Sequence, residues 1–162
     1  MWFIATRNRP QAMKELIGAM AATGSVPECA VMIDDDPEKY ASVAWPDHWH
    51  IHHDTTHLET VRAFNELFRL YPHEKFYGQI TDHTRPTSPN WDTELSEAAG
   101  DWYVATCDND AVTHNRRTGK RRMTGLNCIG GELVRAIGWL RPPYLVHLAE
   151  DDVWEDIAHE CG

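Results

Sequence analysis

FYGQITDHTRPTSPNWDTEL, residues Phe76 to Leu95, runs an apolar strand into an Asp-x-Thr step, a Pro-rich turn and then Trp91-Asp92. The carboxyl end of a buried strand is where an α/β sheet holds a metal ion and the phosphates it neutralises. Asp82 stands at that end, with His83 and Thr84 directly after it. A hard divalent cation suits the Asp82 carboxylate, and the imidazole of His83 suits Mn²⁺ better than Mg²⁺.

Upstream, the chain repeats the same grammar. WFIATRNRP begins with a short apolar strand and a polar turn, and QAMKELIGAMAATG follows with apolar residues at helical spacing. CAVMIDDDP is a second strand that ends in Asp34, Asp35 and Asp36. HWHIHHDT alternates as a strand does, and LETVRAFNELFRLY places Leu58, Val61, Phe64, Leu67 and Phe68 on one helical face. Thr55 or Thr56 is the expected cap at the start of that helix, and Tyr71-Pro72 its end. Beyond Leu95 the reading predicts a helix that stops at Gly100 and a strand within DWYVATCDND. Strands alternating with helices predict an α/β fold, a mostly parallel, Rossmann-like sheet flanked by helices.

With 162 residues and 42% hydrophobic content, the chain is long enough for one domain with a real core. No apolar run is long enough to span a membrane, and no signal peptide is legible, so a cytoplasmic protein is expected. Cys29, Cys107, Cys128 and Cys161 are far apart, which suggests reduced thiols and neither a zinc knuckle nor a disulfide framework. A net charge of −10 argues against broad nucleic-acid binding. The basic residues nevertheless crowd into THNRRTGKRRMTG, where Arg116, Arg117, Lys120, Arg121 and Arg122 form either a solvated loop or a lid that gathers anions.

The order of these motifs resembles GT-A glycosyltransferases, closest to the compact, family 2-like enzymes of phages and bacteria. The matching segments are TRNRP followed by DDD, the strand that closes on Asp82, the Pro86 to Asp92 turn and the acidic step Glu150-Asp151-x-x-Trp154. The resemblance implies a metal-assisted, inverting transfer of a sugar from a nucleotide-diphosphate donor. The cofactor is then Mn²⁺ or Mg²⁺, and the acceptor is a small molecule, a glycan or modified DNA. It implies metal ligation by Asp82, His83 and Thr84, although the family's second acid is absent from this step. Nucleotide contacts are expected from Thr6, Arg7, Asp34 or Asp36, and Asn65. Trp91, Arg121 and Arg122 are expected on loops over the acceptor or the phosphates. Asp151 is the first choice as general base and Asp152 the second; the alternative is that acids there only stabilise a helix amino terminus.

The same comparison divides one GT-A-like domain into a nucleotide-binding half, 1–100, and an acceptor half, 101–162. It also implies a further strand with a histidine, and because the sequence stops at Gly162 the expectation is either a metal shell finished differently or a truncated acceptor half. A catalytically weak or inactive nucleotide-sugar-binding protein is therefore the alternative function. A third reading draws on His48, His50, His52, His53 and His57 as ligands of a metal-dependent hydrolase. If the chain is phage-encoded, its expected compartment is the host cytoplasm.

Overall fold

Strand β1 (Trp2–Thr6) is central to a sheet that has six strands among the described residues, and its alternating side chains separate two apolar layers. In this computed structural model the described residues are 1–107, 125–145, 153, 154, 156, 157 and 160. After β1 come α1 (Pro10–Thr23), β2 (Cys29–Ile33), a 3-10 turn (Pro37–Tyr40), β3 (His50–His53), α2 (Glu59–Leu70) and β4 (Phe76–Thr81). The remainder comprises α3 (Trp91–Ala99), β5 (Val104–Thr106), β6 (Leu126–Gly130) and α4 (Gly131–Ile137).

The spatial order is β3-β2-β1-β4-β6-β5. Strands β3, β2, β1 and β4 are parallel, and β6 runs antiparallel to both β4 and β5. The expected mostly parallel sheet flanked by helices is therefore present. Strand β6 was not legible in the sequence, because LNCIG, five residues with a single polar Asn127 that lead straight into a helix, is too short to show a period of its own.

Period-two alternation along β1 sends Trp2 and Ile4 to one face and Phe3 to the other. Trp2 and Ile4 pack with Met13, Leu16 and Met20 of α1 and with Leu95 of α3, whereas Phe3 meets Phe64 and Leu67 of α2. Gly78, opposite Trp2 in register, lets the indole lie on bare backbone, since a Cβ there would come within 2.1 Å of the ring. Trp91 packs edge-on against the same indole at 4.8 Å and is buried. This corrects the expectation for Trp91: it is a core residue of α3, because a large apolar ring at the head of the helix is worth more under the sheet than in solvent.

Helix ends follow local chemistry in two cases and long-range chemistry in a third. Gly24 ends α1 with φ 77°, a left-handed conformation that favours glycine, and Gly100 follows α3 with φ 49°. Neither Thr55 nor Thr56 caps α2. Instead both oxygens of Asp34, at the end of β2, accept from its first backbone groups, Leu58 N at 2.6 Å and Glu59 N at 3.0 Å. Among the described residues, no helix is long and apolar enough to cross a membrane.

Candidate active site

The carboxyl ends of β1, β2 and β4 and the start of α2 enclose a cleft of about 800 Å³. It lies beside the boundary between β1 and β4, where successive connections leave in opposite directions along the sheet, the place where open α/β sheets bind ligands. Its charged lining is balanced: Arg7, Arg9 and Arg141 face Asp34, Glu59 and Asp82, with His83 at the edge.

Asp82 is one of two buried acids lining this cleft, 4% exposed, with Asp34 at 3% the other. Thr6 Oγ1 donates to its Oδ2 at 2.9 Å, and Arg9 Nη1 donates to its Oδ1 at 3.0 Å. With the Thr6 hydroxyl proton given to Asp82, Thr6 receives its own hydrogen bond from Tyr40 Oη at 3.1 Å, and Tyr40 in turn accepts from Arg9 N at 3.2 Å. This chain ties the turn after β1 to the end of β4 through a buried tyrosine of the 3-10 turn. Arg85 holds the backbone beneath it, donating to Asp82 O at 2.9 Å and to Thr84 O at 2.7 Å, and pairs with Glu15 of α1.

The other expected site residues separate into groups. Thr6, Arg7, Asp34, Asp82 and His83 all line the cleft. His83 Nδ1 lies 3.4 Å from Asp82 Oδ1, with the imidazole largely in solvent. Thr84 turns away: its hydroxyl is 2.7 Å from that of Thr81, so its oxygen serves the turn. Asp36 also departs from expectation, since it caps the 3-10 turn through Glu38 N at 2.9 Å and is not a lining residue. Asp34 lines the cleft while its carboxylate holds α2, and Arg7 Nη1 stands 3.8 Å from it. Asp151, Asp152, Arg121 and Arg122 lie outside the described residues, as do Arg116, Arg117 and Lys120.

Asn65 has a different role from the nucleotide contact expected of it. Its Oδ1 accepts from Leu140 N at 3.0 Å and Arg141 N at 2.9 Å, and its Nδ2 donates to Arg141 O at 2.8 Å. It thereby clamps the turn that carries Arg141 into the cleft. Arg141 is 4% exposed, its guanidinium lies 4.0 Å over the Phe64 ring, and its Nε donates to Gln79 Oε1 at 2.7 Å. Sequence reasoning missed Arg141, Tyr40 and Arg9. The available signals were a single arginine between Trp139-Leu140 and a Pro pair, and the second arginine of TRNRP.

The histidines do not converge. His48 pairs with Val26 O, His50 with Glu28 and His52 with Tyr71 Oη, and no three His, Cys, Asp or Glu residues among the described ones are placed to hold a metal ion. Burial, then the neighbouring His50 and His53, keep the His52 imidazole below its ordinary 6.5. The unfolded chain therefore takes up this proton first, and stability should fall as pH drops from 6.5 through the lowered value. His52→Gln should flatten that part of the melting-temperature profile between about pH 7 and pH 5; an unaltered profile in the variant would assign the loss elsewhere.

No family model matches this sequence, and no curated protein matches it. Solved structures do share its fold. S. aureus TarS 1-349 in complex with UDP superposes with a TM-score of 0.65 at 14% identity, over 97% of this chain and 54% of that one. The 4-diphosphocytidyl-2C-methyl-D-erythritol synthase of Anaerococcus prevotii superposes with a TM-score of 0.60 at 9% identity, over 96% of this chain and 80% of that one. The chain thus spans about half the length of TarS 1-349. TarS is a glycosyltransferase of the GT-A type, and the chain described here has a GT-A-like fold.

Proposed function

We propose that the cleft binds a nucleotide-diphosphate sugar and that the protein transfers the sugar to an acceptor with inversion, assisted by Mn²⁺ or Mg²⁺. One observation carries this reading: a buried carboxylate, Asp82, closes β4 inside a cleft whose other wall is the arginine-bearing turn after β1. A diphosphate needs positive charge on one side and a shared cation on the other, and that combination fits these residues. The fold held in common with a UDP-bound neighbour supports the same reading.

The donor set fits an ion that takes most of its ligands from diphosphate and water. Asp82 supplies one carboxylate and His83 an adjacent imidazole, and Thr6 orients the carboxylate from the opposite oxygen. A bound divalent cation would neutralise the charge that builds on the departing diphosphate. Arg7 and Arg9 bring two further cationic groups to the cleft from the turn after β1. On the sequence resemblance alone, Asp151 is assigned the acceptor proton, with Asp152 as second choice.

The test is thermal stabilisation by UDP, ADP, GDP and CDP with and without Mn²⁺. A diphosphate at a hundred times its Kd should raise the melting temperature by about 5–10 °C. No shift with any of the four removes the reading. The sparse donor set favours a second form of it, a nucleotide-sugar-binding protein without turnover. Stabilisation by a nucleotide sugar with no release of sugar over hours would select that form.

A further inference from the structure

Resting on the nucleotide-diphosphate reading, we infer that Arg9 is a movable counterion that neutralises Asp82 until the carboxylate engages a divalent cation, and then delivers its charge to the diphosphate. Asp82 has a side chain only 5% exposed, and a carboxylate so buried is costly without an opposite charge. Arg9 supplies that charge at 3.0 Å, yet its own side chain is 59% exposed. An ion pair with one partner in solvent is weak, so exchanging it is cheap.

The surroundings restrict the motion to the Arg9 side chain. Its backbone is anchored at both ends, N to Tyr40 Oη at 3.2 Å and O from Met13 N at 3.2 Å. Asp82 keeps its orientation through Thr6 when Arg9 leaves, because the two occupy different carboxylate oxygens. Neighbouring cations have other partners, Arg85 backbone carbonyls and Glu15, Lys39 Asp35, and Arg7 stands 3.8 Å from Asp34, while the His83 imidazole lies 3.4 Å from the same Asp82 oxygen as Arg9. Arg9 and the cation therefore compete for one oxygen of Asp82. A diphosphate beside the turn after β1 gives the displaced guanidinium a bidentate partner.

Competition for Asp82 and attraction to diphosphate make the effects of one substitution opposite in sign. Arg9→Gln should bind Mn²⁺ alone at least about fivefold more tightly than the wild type, read by the electron paramagnetic resonance of free Mn²⁺. The same variant should bind UDP at saturating Mn²⁺ at least about fivefold more weakly, the lower end of ordinary coupling between sites. A merely structural arginine would weaken both. Arg9→Lys keeps the charge without the fork and should fall between. Mn²⁺ binding in Arg9→Gln equal to or weaker than wild type overturns the inference, as does unchanged UDP affinity. Failure of the wild type to bind any nucleoside diphosphate removes the donor reading instead, and the Mn²⁺ arm still decides whether Arg9 guards Asp82.

Discussion

Asp82→Asn is expected to abolish the Mn²⁺-dependent part of nucleoside diphosphate binding while leaving the chain folded. The amide keeps the shape of the carboxylate and an oxygen for Thr6 Oγ1, so the link from Tyr40 through Thr6 survives. It removes the charge on which the proposed cation at the end of β4 would depend. Truncating one member of a buried, hydrogen-bonded charge pair costs about 2–5 kcal/mol, so UDP affinity at saturating Mn²⁺ should drop about 30-fold or more. Stability should be unchanged or higher, because Arg9 is well exposed and the variant no longer keeps a carboxylate out of water. Calorimetry with and without Mn²⁺ separates the terms. An Mn²⁺-dependent gain as large as in the wild type would take the metal away from Asp82.

Asn65→Ala should produce the largest loss of stability among the site substitutions. It leaves Leu140 N, Arg141 N and Arg141 O without their partner at a turn where both residues are buried. With partial rescue by water, three such groups should cost about 2–4 kcal/mol. The urea midpoint should fall with its slope retained. Asn65→Asp keeps the two acceptor contacts and loses the donated one, so its midpoint should lie between. UDP affinity should fall as well, since the turn sets Arg141 over Phe64 and against Gln79 in the cleft wall. An unchanged midpoint with lost affinity would return Asn65 to the direct nucleotide contact that the resemblance implies.

Both predictions concern residues that the sequence singled out, but the reasons for them differ. Asp82 was legible because its context is local: an apolar run sets a buried strand, and the first acid after it must emerge at the strand's end. Asn65 stands out only through the resemblance, and it lies on α2 as the helical pattern implies, yet its partners lie 75 and 76 residues away. Trp91 is ambiguous in the sequence for a related reason. A tryptophan at the head of a helix is compatible with either a loop over a ligand or a core, and the choice rests on the space that Gly78 opens around Trp2 on another strand.

By itself the sequence determined the strands β1, β2, β3 and β4, the faces of α1 and α2, the stops at Tyr71 and Gly100, and the presence of acids at the strand ends. These depend on periodicity and on backbone preferences within a few residues, which a single chain displays directly. Only the tertiary structure decided what each polar group near the cleft does. Asp34 closes a helix 24 residues on, and Arg9 meets Asp82 across 73 residues. Asp36 remains with its own turn, although it is the same residue type two positions from Asp34. A buried donor or acceptor takes whichever partner the packed chain brings within about 3 Å, and that partner is set by strand order and register, which no local pattern contains.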